Sequence, residues 1–288
     1  MEITLGFSPC PNDTFIFDAL VHHKIDTKGL TFNVEYHDVE TLNEKAFNNK
    51  LDITKLSYHA FAYAVQKYEL LDAGSALGFG VGPLLITKNE ELAAELKEYA
   101  GDHLPVALQD LRVGIPGKYT TANFLLGLAF PALQNKQELV FSDIEQALLD
   151  NNIDLGLIIH ENRFTYQDKG LFKVVDLGDF WERTTNNPIP LGGIVVKREL
   201  PVEVKLLVNQ LIKESVEYAF ANPKSGIEYI RSHAQEMEDS VMYKHIDLYV
   251  NQYSIHLGAD GRSAVETMFK KALSAGLIPQ FHTNIFLT

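Results

Sequence analysis

Residues 51–68, LDITKLSYHAFAYAVQKY, contain a short apolar strand that runs directly into an apolar helix. Apolar or β-branched residues occupy four of the seven positions of LDITKLS, whereas the following residues repeat apolar positions with helical spacing. The same strand-then-helix order occurs twice upstream, in residues 2–24 and 30–50. Such alternation is typical of a mostly parallel sheet with helices on its faces. The first part of the chain is therefore predicted to be an α/β unit.

A second strand-and-helix series occupies residues 111–161, from LRVGIPG to IDLGLIIHE. The strand GPLLITK (82–88) is interpreted as leaving the first unit, and the apolar strand within 186–200 as returning to it. Three amphipathic helices that follow residue 202 are expected to pack around the first unit. We therefore predict a larger discontinuous α/β lobe of residues 1–88 plus 190–288, a smaller α/β lobe of residues 89–189, and a ligand cleft between them.

The two series echo each other in FNNKLDITKLSYH (47–59) and LLDNNIDLGLIIH (148–160). Each segment places an aspartate, an apolar strand and a terminal histidine in nearly the same order. Two similar lobes joined by two connections, near 82–90 and 186–196, favour a two-lobed periplasmic-binding-protein type II-like fold. Each lobe is expected to be a mixed sheet flanked by helices.

The charge balance excludes several classes of partner. The 288 residues include 25 lysines and arginines against 38 acidic residues, for a net charge of -13. Nucleic acids and anionic membranes select for clustered positive charge, so neither is an expected partner. The N-terminus lacks a basic signal-peptide region, and no apolar run is long enough to insert in a membrane. We expect a cytoplasmic protein that acts on a small molecule; the sequence is compatible with a homodimer.

Motifs for metals and cofactors are missing from the sequence. The lone cysteine, Cys10, excludes an internal disulfide and a multi-cysteine metal site. HExxH, GxGxxG, GxSxG and the Walker sequence do not occur. The sequence therefore predicts neither a metal nor an organic cofactor.

The segment SPCPND (8–13) follows the first strand and allows three interpretations. Asn12 or Asp13 can cap a helix that begins near Thr14, in a turn that the two prolines make rigid. The positive end of that helix can instead bind a carboxylate or phosphate. Cys10 as a nucleophile is the third interpretation, and no neighbouring base in the sequence supports it.

Other strand ends carry further candidate groups, because ligands of open α/β sheets bind beyond the carboxyl ends of the strands. Ser57 can cap the next helix or donate a hydrogen bond to a ligand. Thr120 and Thr121 follow a glycine-flanked loop and offer hydroxyl and backbone donors. His160 follows an apolar strand, where an imidazole can act as a general base, although a lone histidine at such a position is usually structural.

Taken together, five motifs resemble the 1,4-dihydroxy-6-naphthoate synthase family of the futalosine route to menaquinone. They occur in the family's order and cover nearly the whole chain: SPCPNDTFIF (8–17), KLSYHA (55–60), GKYTTANFLL (117–126), LGLIIHENRFTY (155–166) and PIPLGGI (188–194). The resemblance implies a carbon–carbon lyase that converts cyclic dehypoxanthine futalosine to 1,4-dihydroxy-6-naphthoate, releases a sugar-derived fragment (dihydroxyacetone) and uses no cofactor.

The resemblance also implies roles for particular residues. It makes His160 the proton acceptor and maps the substrate-contacting segments onto Lys55, Leu56 and Ser57 and onto Thr121 with Ala122. The adjacent Thr120, together with Pro11 and Asn12 of the rigid turn, completes the predicted set of substrate-binding residues. Two alternatives stay open: chorismate dehydratase of the same pathway, and a non-catalytic protein that binds a small carboxylate.

Overall fold

A computed structural model of the protein describes residues 1–234, 238–278, 280 and 284–288. Its strands are, in chain order, β1 (Glu2–Phe7), β2 (Thr31–Tyr36), β3 (Ile53–Ser57), β4 (Tyr68–Leu70), β5 (Ala76–Gly78), β6 (Leu84–Thr87), β7 (Val113–Ile115), β8 (Lys136–Glu138), β9 (Leu155–Ile158), β10 (Phe172–Asp176) and β11 (Ile189–Lys197).

Its helices are α1 (Pro11–Val21), α2 (Val39–Phe47), α3 (Tyr58–Ala64), α4 (Glu90–Lys97), α5 (Val106–Gln109), α6 (Thr121–Ala129), α7 (Ile144–Leu149), α8 (Asn162–Thr165), α9 (Leu177–Thr185), α10 (Val202–Ala221), α11 (Ile227–His233), α12 (Asp239–Tyr249), α13 (Gln252–Ile255) and α14 (Gly258–Ser274). In the described part of the chain, no helix combines the length and apolar character that crossing a membrane requires.

The chain divides into two compact units, residues 1–78 with 190–288 and residues 79–189. The sequence placed the first division later, after residue 88. The difference arises at β6, which hydrogen-bonds to β9 and β10 and so belongs to the sheet of the second unit. A strand's apolar pattern locates the strand but does not identify the sheet that it joins.

The first unit is built on a sheet of order β2-β1-β3-β11-β4, and β5 also pairs with β11. β1 is parallel to both β2 and β3, as the alternation of strands and helices predicts, whereas β11 runs antiparallel to β3 and β4. Alternate residues of β1 are fully buried, and Phe7 stacks on Phe17 of α1 with ring centroids 4.4 Å apart. α1 is buried along almost its whole length because α10, α11 and α12 pack around it.

The second unit is built on a sheet of order β10-β6-β9-β7-β8. β7 is parallel to its neighbours β8 and β9, and β6 is antiparallel to β9 and β10. β10 and α9 were not predicted from the sequence. The sequence does carry a signal for α9, because Leu177, Phe180 and Trp181 have helical spacing, and all three are buried. Asp176 is the N-cap, and its Oδ1 accepts hydrogen bonds from the N–H groups of Gly178 and Asp179.

The echo between the two segments has a structural counterpart inside each unit. Asn49 and Asn151 both follow a helix in the left-handed conformation, with φ of 56° and 57°. Asp52 then accepts a hydrogen bond from the Thr4 N–H at 2.9 Å, and Asp154 accepts one from the Arg112 N–H at 2.8 Å. The two units thus enter a central strand through the same local geometry.

Candidate active site

The turn SPCPND leads into α1 three residues earlier than the sequence indicated. α1 begins at Pro11, and Cys10 takes the N-cap position with an extended backbone and no capping side-chain hydrogen bond. Neither Asn12 nor Asp13 is the cap, so that interpretation is wrong. The reason is the proline, whose fixed φ suits the first helical position and whose missing N–H costs nothing there.

Asp13 is instead the centre of a buried polar cluster. Its Oδ1 accepts hydrogen bonds from Lys55 Nζ and Asn12 Nδ2, both at 2.8 Å. Its Oδ2 accepts hydrogen bonds from the Ser8 hydroxyl at 2.8 Å and the Ser8 N–H at 3.3 Å. On the far side of the cluster, Nε2 of His245 in α12 lies 2.8 Å from Oδ1 of Asn12. Five residues from three elements and the turn are therefore joined in one network.

Lys55, Leu56 and Ser57 form the carboxyl end of β3, where all three are buried. Ser57 occupies the N-cap position of α3, but its side chain makes no capping hydrogen bond. Its N–H donates to Asn43 Oδ1 at 3.2 Å. The hydroxyl of Ser57 is therefore not used by the helix that it precedes, which favours the second predicted role, that of a ligand donor.

Thr120, Thr121 and Ala122 form the start of α6 and are all buried. The Thr120 hydroxyl donates to the Gly117 carbonyl at 2.8 Å and accepts from the Asn123 N–H at 3.2 Å. Thr120 thus acts as the helix cap. Thr121 and Ala122 are the first two helical residues, and a helix leaves its first-turn N–H groups without intrahelical acceptors at the positive end of its dipole.

Lys136 supports this helix start from β8. Its Nζ donates to Asn123 Oδ1 at 2.9 Å, and burial lowers the pKa of Lys136. The Asn123 amide nitrogen in turn donates to the Lys118 carbonyl at 2.8 Å, within the loop that precedes α6. These hydrogen bonds tie the first turn of α6 to β8 and to the loop before it.

His160 lies two residues beyond the end of β9 and is partly buried. Its backbone is in the left-handed region, with φ of 57°, a conformation that costs most residues with a Cβ and that clusters at functional sites. Its ring meets the buried ring of Phe141 at an interplanar angle of 66°, with centroids 5.0 Å apart. The imidazole is thus held by the turn and by an aromatic neighbour.

The residues that follow His160 are engaged within the second unit. Asn162 Nδ2 donates to Oε2 of the buried Glu145. Arg163 donates to the Gly82 carbonyl and to Asp176 Oδ2, the latter at 2.7 Å. Since its guanidinium already binds a carboxylate and a backbone carbonyl, Arg163 braces this unit and is a poor candidate for an anion receptor.

In each unit, the predicted residues lie where two neighbouring parallel strands end. In the first unit, Pro11 and Asn12 follow β1, and Lys55 to Ser57 end its parallel neighbour β3. In the second unit, Thr120 to Ala122 follow β7, and His160 follows its parallel neighbour β9. Parallel strands end at the same edge of a sheet, where ligands of α/β proteins bind.

His245 was not among the residues predicted from the sequence. Its signal was its place on the apolar face of α12, where Met242, Ile246 and Tyr249 are also buried. A polar residue on such a face is expected to have a buried hydrogen-bond partner. The partner, Asn12, is far away in the sequence and could not be named from it.

Comparison with known proteins identifies the family. The family model described as menaquinone biosynthesis matches residues 3–274. The chain belongs to this family. A relative from Thermus thermophilus is 41% identical over 279 residues, covering 96% of this chain and 95% of the relative. Another from Streptomyces coelicolor is 36% identical over 282 residues, with the same coverage. Each is named 1,4-dihydroxy-6-naphtoate synthase.

Solved structures confirm the predicted fold. Protein AF1704 from Archaeoglobus fulgidus is 35% identical and superposes with a TM-score of 0.85 over 96% of this chain and 98% of its own. The ligand-binding component of an ABC-type import system from Staphylococcus aureus superposes with a TM-score of 0.71 over 100% of this chain and 96% of its own. The periplasmic aliphatic sulphonate-binding protein SsuA from Escherichia coli, at 11% identity, superposes with a TM-score of 0.63 over 97% of this chain and 89% of its own. At these low identities the two neighbours show the fold alone, which is periplasmic-binding-protein-like.

Proposed function

We propose that this member of the menaquinone biosynthesis family is a carbon–carbon lyase that converts cyclic dehypoxanthine futalosine to 1,4-dihydroxy-6-naphthoate and releases dihydroxyacetone. The observation that carries the proposal is His160, held in a left-handed turn at the end of β9 and against Phe141. The names of two relatives that match almost the whole chain support the same reaction.

The proposed chemistry needs a base, because the substrate must lose a proton from carbon before the carbon–carbon bond breaks. His160 is the proposed general base. The electron pair that the departing proton leaves behind forms a double bond of the second aromatic ring. The bonding pair of the broken carbon–carbon bond leaves with the sugar-derived fragment, which takes back the proton from His160 and departs as dihydroxyacetone. The step is an elimination without net oxidation or reduction, so it requires no redox cofactor.

The substrate also carries a carboxylate and develops negative charge on a ketone oxygen, and both need hydrogen-bond donors. We propose the segments Lys55 to Ser57 and Thr120 to Ala122, with Pro11 and Asn12, as substrate contacts. The hydroxyl of Ser57, which does not cap α3, and the backbone N–H of Ala122 in the first turn of α6 are the donors that suit these charges best.

The test is an assay of purified protein with cyclic dehypoxanthine futalosine and no added cofactor, in which naphthoate is followed by chromatography with mass detection. We expect wild type to form the product and His160→Asn to be slower by about 100-fold or more. Asparagine removes the base but tolerates the left-handed backbone better than most residues, so this variant should fold.

The outcomes separate the alternatives. Activity on chorismate with none on the cyclic substrate would make the protein a chorismate dehydratase. Binding of a small carboxylate without turnover of either substrate would make it a binding protein. Near-normal turnover by His160→Asn would remove His160 from the role of base and leave the reaction standing.

A substitution of Cys10 tests the interpretation of the turn SPCPND (8–13) as a thiol active site. Cys10 is buried at the N-cap position of α1, where a small side chain suffices. We expect Cys10→Ser to keep at least about a third of the wild-type turnover, well above the loss of 100-fold or more that follows removal of a nucleophile. Complete loss in a folded Cys10→Ser protein would restore Cys10 as a nucleophile.

A further inference from the structure

The carboxylate of Asp13 is buried and neutralised within the first unit. Only 2% of its surface is exposed, and both of its oxygens accept hydrogen bonds, from Lys55 and Asn12 on one side and from Ser8 on the other. A buried carboxylate is tolerated when it is paired and hydrogen-bonded, and it is costly when its partner is removed. Asp13 therefore depends on the ammonium group of Lys55.

Lys55 is equally committed to Asp13. Its side chain is 8% exposed, and its Nζ lies 2.8 Å from Asp13 Oδ1 and 3.4 Å from the carbonyl oxygen of Gly74. If this ammonium turned to a substrate carboxylate, it would leave the charge of Asp13 unpaired in the interior. The pair thus argues against Lys55 as the cation that recognises an anionic substrate.

The hydrogen bonds around the pair connect three elements. Asn12 donates through Nδ2 to Asp13, so its Oδ1 is the acceptor for His245 Nε2. A continuous series runs from His245 in α12 through Asn12 and Asp13 in α1 to Lys55 in β3. Ser8, in the turn itself, is held by both its hydroxyl and its N–H. The network fixes the start of α1 relative to the carboxyl end of β3.

We propose that Lys55 is a positioning residue, whose ammonium holds Asp13 and so sets the Ser8–Asp13 turn against the segment that ends in Ser57. The substrate is then contacted by the backbone of this segment and by the Ser57 hydroxyl, and the charge of Lys55 stays inside the protein. This inference rests on the proposed function, because the effect of positioning is read from turnover.

A double-mutant cycle tests it, with Lys55→Met, Asp13→Asn and the double variant assayed for kcat, KM and melting temperature. We expect Lys55→Met to lower kcat/KM by about 30-fold or more, because it leaves a buried carboxylate without its cation. The kcat/KM of the double variant should be at least about tenfold higher than that of Lys55→Met, because neither charge is then left unpaired.

A lysine that binds the substrate carboxylate gives a different pattern. KM would then rise by about 100-fold or more for Lys55→Met and equally for the double variant, and Asp13→Asn alone would lower KM by freeing the ammonium. That pattern overturns the inference. If Lys55→Met does not fold, the double variant decides alone: kcat/KM within about tenfold of wild type supports positioning, and the large rise in KM overturns it.

Lys205→Met is the matched control. Lys205 in α10 forms a buried ion pair with Glu69 of β4, two strands away from β3 in the sheet, and Glu69 keeps a second partner, Arg198, whose Nη1 lies 2.8 Å from Oε1. We expect this variant to melt at a lower temperature and to keep kcat and KM within about twofold of wild type, because its pair lies outside the strand edge that carries the predicted residues. If Lys55→Met and Lys205→Met lose activity equally, the loss at Lys55 reflects only a general decrease in stability, and the inference is overturned.

The two proposals fail separately. An inactive wild type would overturn the proposed function and remove the basis of this inference. An active wild type in which the effects of Lys55→Met and Asp13→Asn are additive would overturn this inference alone.

Discussion

The left-handed backbone of His160 makes a quantitative prediction about glycine and alanine at that position. In ordinary helix or strand positions, alanine is more stabilising than glycine by about 0.5–1 kcal/mol. At φ of 57°, however, a Cβ costs about 1–2 kcal/mol, and glycine avoids that cost. Both substitutions lose the contact with Phe141, so this loss cancels in the comparison. We expect His160→Gly to be more stable than His160→Ala by about 1 kcal/mol.

Urea unfolding followed by tryptophan fluorescence measures this difference. Trp181 is the chain's only tryptophan, and it is fully buried within the second unit, so its signal follows the unit that contains His160. With a slope of about 2 kcal/mol per molar urea, the two midpoints should differ by about 0.5 M. Gln146, exposed in α7, is the control position, where alanine should be the more stable of the two.

The result that would refute the reasoning is His160→Ala as stable as His160→Gly, or more so. The backbone would then not be held in the left-handed region in solution, and the turn would not fix the imidazole. The expected result instead ties a local cost in stability to the residue proposed as the base. It would also explain why asparagine, which tolerates this conformation, is the substitution that isolates basicity.

Three further measurements test other parts of the structure. Gly178→Ala should destabilise the second unit by about 3 kcal/mol, because the added Cβ would overlap the Val81 carbonyl oxygen. Gly170→Ala, with no atom within 4 Å of its Cβ, should lose only about 1 kcal/mol. The hydrogen bond from Arg112 lowers the pKa of Asp154, so wild type should lose stability as the pH falls below about 4, and urea midpoints of Asp154→Asn should fall less over that range. Because the proposed carboxylate donors are neutral, KM should rise less than about threefold between 0.05 and 0.5 M NaCl, and a steep rise would indicate a cationic receptor.

The order of strands and helices could be predicted from the sequence because it depends on the local spacing of apolar residues, which differs between strands and helices. The apolar pattern of residues 2–64 and 111–158 is sufficient to identify most of their elements. The membership of β6 in the second sheet could not be read in this way, because it depends on hydrogen bonds to β9 and β10 that lie far along the chain. The short strands β4 and β5 likewise exist through long-range pairing with β11.

The candidate site divides in the same way. Strand ends followed by helices or turns identified the segments at Ser57, Thr120 and His160, because the rule that places ligands there is topological. The prediction that Asp13 can cap α1 was wrong, because it applied a local capping rule to a residue whose partners come from elsewhere in the fold. The partner of Asp13, Lys55, lies in β3, and His245 of α12 joins the network through Asn12. Such networks depend on tertiary packing, which one sequence does not reveal.

The repeated geometry of the two units suggests how their roles differ. The same offset in the sequence separates Asn49 from Asn151, Asp52 from Asp154, and Tyr58 from His160. Tyr58 continues directly into α3, is fully buried beside Ser75, and has a pKa raised by that burial, so it is unsuited to removing a proton near neutral pH. At the equivalent position, His160 has a left-handed backbone instead of starting a helix, and it is partly exposed. An imidazole is also the side chain that ordinarily titrates near neutrality. The same local geometry thus carries a residue unsuited to proton removal in the first unit and the proposed base in the second.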